Sequence, residues 1–234
     1  MADVNNGSMK GADDLLADRA AAAGEPGSAL RPAPAPTPDT TAEQILAAAA
    51  RLFGRQGFRA TTLRQIAEDA GIKAGSVYYH FDGKEEIAAR VLDAGIHALT
   101  AAVRSHVDGL PAGSGARARL AAAVEGHLWG MLHHGDFTAA HIRIYRNVSD
   151  AARARHQPVR SAYTRLWDEL LSDCAAAGVL RRDIPVPMVR QFLVGALNWP
   201  VDWYDPRRGP FERFAAQITA LVFDGIVTEP ELAH

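Results

Sequence analysis

From residue 40 onward the apolar positions of this chain recur every three or four residues, and no stretch alternates with the period of two that a half-buried strand requires. Thr40 and Glu43 have the spacing of a capping box, after which Ile45, Ala49, Leu52 and Phe53 share one face as far as Gly57. Leu63, Ile66, Ala67 and Ala70 repeat at i, i+3, i+4 and i+7 behind Thr62, and Gly71 stops that short helix. Lys73-Ala74-Gly75-Ser76 opens another, in which Val77 and Phe81 face inward. A long helix runs from near Gly83 to about Val107 on Ile87, Val91, Ile96, Leu99 and Val103.

After a loop over 110–115 the pattern predicts helices over 117–133, 137–147, 150–177, 188–204 and 211–227. Pro158 should kink or interrupt the third of these, Gly178 ends it, and Pro200 lies inside the fourth. No repeat of solenoid length occurs. The expectation is an all-α protein of about nine helices. Residues 1–39 differ: rich in alanine, proline and glycine, they read as a flexible leader, with a short helix possible over 13–23.

The short helix after Gly71 carries the densest chemistry. With Val77 and Phe81 inward, Ser76, Tyr78, Tyr79 and His80 point elsewhere. Two adjacent tyrosines and a histidine are poor choices for a merely solvated face. They suit phosphate oxygens, sugars and base edges, which accept from hydroxyl and imidazole donors. Gly75 lets a backbone come close, and Lys84 adds charge where a helix begins.

Charge modifies this picture only slightly. The net charge of −2 is unusual for a nucleic-acid binder until it is placed along the chain. Lys10, Arg19 and Arg31 stand against Asp3, Asp13, Asp14, Asp18, Glu25 and Asp39, which leaves −3 in the first 40 residues and +1 in the rest. Affinity would then rest on placement and on two copies rather than on a general basic coat.

The pattern of Thr62, Ala70-Gly71, Tyr78, His80-Phe81 and Lys84 resembles the DNA-binding region of the TetR/AcrR family of transcriptional regulators, over roughly residues 41–90. The resemblance implies a helix-turn-helix domain over 40–100 and a helical effector-binding and dimerisation domain over 101–234. It places Arg64, Lys73, Ala74, Gly75, Ser76, Tyr78, Tyr79 and His80 on double-stranded DNA, with Thr62 and Lys84 at backbone phosphates. Arg64 is the candidate base reader, since a guanidinium matches the two acceptors of a guanine edge.

In the same resemblance the last two helices pair subunits into a homodimer, which here falls on Phe192, Leu193, Leu197, Phe214, Ile218, Leu221 and Val222. The intervening helices would enclose a small-molecule effector. Bulky candidates for that pocket are Trp129, Met131, His133, Phe137, His141, Tyr145, Tyr163, Trp167, Asn198 and Trp199. The stretch Gly195–Pro206 resembles the subgroup controlling fatty-acid and steroid degradation, whose effectors are often acyl-CoA thioesters. Arg143, Arg146, Arg153, Arg155, Arg160 and Arg165 would meet such phosphates, or else form a solvated helix face. The implied protein is a ligand-responsive repressor, with an activator or a helical adaptor as the alternative.

Other chemistries lack their residues. His127, His134 and His141 are seven apart, a spacing that does not by itself bring ligands to one ion, so no metal and no cofactor is expected. There is no HExxH, no phosphate loop and no nucleophile elbow, so no enzyme is expected. The single cysteine, Cys174, lies among Leu170, Leu171 and Ala175 as a packing residue, and precludes an intramolecular disulfide. With no stretch of membrane-spanning length and no secretion-signal layout, the expected compartment is the cytoplasm.

Overall fold

The computed structural model describes residues 40–133 and 135–226, and the leader with its possible helix, His134 and Val227 lie outside the described residues. Nine α-helices follow one another there: α1 (Thr41–Ala60), α2 (Leu63–Asp69), α3 (Ala74–His80), α4 (Lys84–Asp108), α5 (Ala116–His133), α6 (Gly135–Ile144), α7 (Asp150–Ala176), α8 (Val186–Asn198) and α9 (Phe211–Ile226). Two 3₁₀ turns, Trp199–Asp202 and Pro206–Arg208, join the last two helices. The described residues contain no extended strand.

Local chemistry fixes the helix starts. Thr40 and Glu43 form the reciprocal box, each side chain bonded to the other's backbone N–H, and Thr62 with Gln65 repeats it at α2. Ser149 accepts from the Ala152 N–H at the start of α7. Each cap satisfies a donor that the first turn leaves unpaired.

Three elements depart from the sequence pattern. Helix α1 does not stop at Gly57 but bends there, at φ 81° and ψ 170°, and resumes to Ala60. That conformation is cheap only without a Cβ. Helix α7 runs through Pro158, which is exposed. The carbonyl it leaves without a donor, on exposed Ala154, can be met by solvent. The predicted 188–204 helix ends at Asn198, since Pro200 brings no N–H to continue the ladder and the chain tightens into a 3₁₀ turn.

Two cores result. One joins α1, α2, α3, the first half of α4, α6 and the start of α7 around Ile45, Phe53, Ile66, Val77, Ile87 and Leu92. The other joins the second half of α4 to α5, α7, α8 and α9 around Leu120, Leu128, Trp167, Leu171 and Leu193. Helix α4 belongs to both. It lies unusually close to its neighbours: a Cβ on Gly95 would sit 2.7 Å from the Phe137 carbonyl oxygen of α6, and one on Gly126 of α5 would sit 2.8 Å from the Ala102 carbonyl oxygen of α4. Backbone-to-backbone crossings of this kind leave α4 little freedom to slide without moving α5 and α6.

Candidate nucleic-acid interface and effector cavity

Helices α2 and α3 are packed by small apolar faces and present everything polar outward. Val77 and Phe81 are buried, which throws Tyr78 and Tyr79 out of the core with 64% and 87% of their surface exposed. His80 is exposed and meets the Tyr79 ring edge-on at 5.1 Å. Lys73, Ala74 and Gly75 are exposed at the front of α3, and Ser76 is half-buried behind them. Thr62 is exposed, its hydroxyl engaged in the α2 cap. Arg64 also faces solvent, paired at 2.9 Å with Glu68 one turn on. Both partners are largely exposed, so this pair is held weakly and Arg64 is free to exchange it. Arg51 and Arg55 of α1 close on Asp69, which ties the end of α2 to α1.

Lys84 stands apart from this set. Its ammonium donates to the Phe58 carbonyl at 2.9 Å and the Thr61 carbonyl at 2.7 Å, and lies 4.4 Å from the Phe58 ring centroid. Two of its three protons are therefore committed to the corner between α1 and α2. The expected phosphate contact is left one proton at most, because the carbonyls ending α1 offer the charge a fixed negative partner. Next to it, Glu85 accepts from the Ser149 N–H and hydroxyl, joining the start of α4 to the cap of α7.

Between α4, α5, α6, α7 and α8 lies a cavity of about 780 Å³. His141, Tyr145, Tyr163, Trp167 and Asn198 line it as the sequence suggested. Trp129, His133, Phe137 and Trp199 do not. Trp129 stacks on His133 at 4.2 Å and His133 meets Phe211 at 4.9 Å, so these two cover the α5–α9 contact. Phe137 packs on the core beneath α1, and Trp199 is 66% exposed against Trp203. Met131 is buried in the second core. Helical spacing alone could not separate these faces. The lining includes residues the sequence reading missed or used otherwise, among them Ile96, Leu99, His127, Gln157, Arg190 and Val194.

The cavity's polar wall is built around buried imidazoles. His127 bridges three helices, with Nδ1 2.6 Å from the Tyr163 hydroxyl and Nε2 3.0 Å from the Asn198 Oδ1. Burial pushes its pKa down to about 4, the Asn198 contact partly opposing, so the ring is neutral. Nε2–H then donates to Asn198 and Nδ1 accepts from Tyr163, whose own hydroxyl is pushed upward by burial. His141 is held at about 3, by burial first and by neighbouring His156 second. Its Nδ1 is buried without a hydrogen-bond partner among the described residues.

Three guanidinium groups, Arg146, Arg160 and Arg190, reach this wall, and no lining side chain is acidic. Arg190 is paired with Asp168 at 2.6 Å, outside the lining, and Arg160 lies 5.0 Å over the Tyr145 ring. Arg143, Arg153, Arg155 and Arg165 do not line it: Arg143 approaches Asp202, and Arg153 is taken up by Val148 and Asp150. The described residues hold no group of three or more potential metal ligands.

The predicted pairing residues divide into two sets. Leu193 and Leu197 are buried in the chain's own core, because α8 turns that face onto α5 and α7. Phe192 and Leu221 are 69% and 70% exposed, and Phe214, Ile218 and Val222 are half-buried at the core's edge. Met188, Phe192, Gly195, Ala196 and Trp199 are exposed along α8 and just beyond its end, and Ala216, Ala220 and Leu221 are exposed on α9.

Residues 45–91 match the family of bacterial regulatory proteins of the tetR type, and residues 113–226 match a tetracyclin repressor-like C-terminal domain. The HTH-type transcriptional repressor KstR2 of Mycobacterium tuberculosis (strain ATCC 25618 / H37Rv) is 32% identical over 196 residues, which cover 80% of this chain and 92% of that protein. The chain belongs to the TetR family. KstR2 of Rhodococcus jostii (strain RHA1) is 30% identical over 206 residues, covering 83% of this chain and 98% of the relative. Among solved structures, the ketosteroid transcriptional regulator KstR2 of Mycobacterium tuberculosis superposes with a TM-score of 0.65 at 30% identity, over 82% of this chain and 97% of that one. This TetR-family chain is thus a DNA-binding transcriptional regulator, with an N-terminal helix-turn-helix and a larger helical C-terminal part. No described helix is long and apolar enough to cross a membrane.

Proposed function

We propose that this regulator represses transcription as a homodimer on a palindromic operator and lets go when an anionic, amphipathic effector enters the α4–α8 cavity. An acyl-CoA thioester is the effector class that fits best. The cavity carries this reading: its lining combines apolar Ile96, Leu99, Ile142 and Val194 with three arginines and holds no carboxylate. A volume of about 780 Å³ suits a drug-sized body or an acyl portion. The ketosteroid regulator among the similar structures supports a fused-ring steroid body as one form of that apolar portion.

On the DNA, the α3 face made by Lys73, Ala74, Gly75, Ser76, Tyr78, Tyr79 and His80 enters the major groove, with Arg64 reading an edge and Thr62 at the backbone. The exposed residues of α8 and α9 support pairing, since Phe192, Trp199 and Leu221 are too apolar to face water together, and the small residues between them allow close approach. The buried free thiol of Cys174, donating to the Ala116 carbonyl at 3.3 Å, suits a reducing cytoplasm.

Selection of duplexes from a random pool tests the reading. An inverted repeat should emerge whose complex weakens with salt and dissociates on adding long-chain acyl-CoA. A selected sequence lacking two-fold symmetry, or a complex that persists through every thioester, would overturn it.

A further inference from the structure

One wall of the cavity holds polar atoms that the DNA-binding mechanism leaves unused. His156 of α7 is fully buried, and its Nδ1 lies 2.7 Å from Asp93 Oδ1 on α4. The carboxylate accepts, so Nδ1 carries a proton, and the ring's other nitrogen is Nε2. That Nε2 is buried without a partner among the described residues. The His141 ring stands 5.2 Å away, tilted by 61°; it donates to the Leu92 backbone, so its unpartnered Nδ1 is a bare acceptor. Tyr145 closes the group, 5.8 Å from His141 and 5.9 Å from His156, with Arg160 over its ring. Of the two orphan nitrogens, the one on His141 belongs to a residue that lines the cavity.

A buried acceptor left unmet is costly, so a ligand that brings it a donor gains more than contact area alone. A cationic donor is disfavoured by Arg146, Arg160 and Arg190 in the same wall. An alcohol is a neutral donor and meets such an acceptor without adding charge to this wall.

We propose that His141 forms a hydroxyl-binding subsite: its Nδ1 accepts a hydrogen bond from an alcohol on the effector, which is therefore a hydroxylated amphipathic anion. His156, fixed by Asp93, stands behind His141 as a positioning residue. Because Asp93 lies on α4, a ligand seated here bears on the helix shared by both cores. This rests on the reading of the cavity as the effector site.

The test is a matched ligand set in calorimetry on the full chain: decanoyl-CoA with its 3-hydroxy and 10-hydroxy forms, and the three free acids, which separate a phosphate from a carboxylate as the source of charge. A hydroxylated member should bind about tenfold tighter than its parent, the effect of one hydrogen bond to a desolvated acceptor. In His141→Phe that preference should vanish, so that the parent and its hydroxylated forms bind with equal affinity. In the wild type, ¹⁵N NMR of labelled histidine should show the His141 Nδ1 resonance moving only with the hydroxylated probe, a readout independent of how the variant folds. Equal binding of parent and hydroxylated forms, with an unmoved resonance, overturns the subsite and leaves the thioester reading intact. Absence of binding by all six overturns both.

Discussion

Replacing Lys84 by alanine separates two roles that one lysine could play at the edge of a DNA-binding domain. In the free protein its ammonium holds the Phe58 and Thr61 carbonyls at 2.9 and 2.7 Å and rests against the Phe58 ring. Charged hydrogen bonds contribute about 1.5–3 kcal/mol each when buried, and a cation–π contact about 0.5–1 kcal/mol. Lys84 is half-buried, and the freed carbonyls regain some water, so the net loss should be about 2 kcal/mol. For a domain of this size that lowers the melting temperature by roughly 4–8 °C. The second readout is the salt dependence of binding to a selected duplex. A phosphate contact contributes about 0.9 to the slope of log K against log salt, so losing one in each of two subunits should flatten it by roughly 2. A positioning role predicts weaker binding with an unchanged slope. A variant that melts like the wild type yet loses two units of slope would refute the argument, because the lysine would then leave its carbonyls for the backbone of the duplex.

Tyr79→Ala should weaken duplex binding at least tenfold with no change in melting temperature, since an 87% exposed ring contributes almost nothing to the fold; electrophoretic shifts and calorimetry check this pair. Gly95→Ala should destabilise by about 1–3 kcal/mol in urea, because its Cβ would meet a backbone oxygen at 2.7 Å rather than a movable side chain. The folded-state pKa of His127 is depressed from 6.5 to about 4, so the neutral form stabilises the fold fully above pH 6.5 and that contribution is lost as pH falls toward 4. Over that interval it amounts to about 3 kcal/mol, and denaturation midpoints measured across pH 4–7 should fall less steeply in His127→Gln. Paired Phe192→Glu and Leu221→Arg substitutions should give a monomer in light scattering with unaltered helical circular dichroism, as both side chains are exposed in the single chain.

The sequence by itself determined the helical class and which side chains of the short α3 helix point outward. Caps, breakers and apolar spacing are local signals, and Thr40, Thr62, Gly71, Val77 and Phe81 each act within a few residues of themselves. Once Val77 and Phe81 are inward on a two-turn helix, Tyr78 and Tyr79 can only be outward. The tertiary structure decided which residues face the cavity and which face solvent. Trp167 lines the cavity, Trp129 seals a helix contact and Trp199 is exposed, although all three occupy similar amphipathic contexts. Leu193 and Phe192 are neighbours in sequence and opposites in burial for the same reason. A helical period tells how wide an apolar face is, but the partner of each face depends on crossings such as Gly95 on Phe137, between residues more than forty apart in sequence. The lodging of Lys84 on the α1–α2 corner and the pairing of Asp93 with His156 are of this second kind: the bonding capacity is written in the residue types, and the choice of partner belongs to the packed helices.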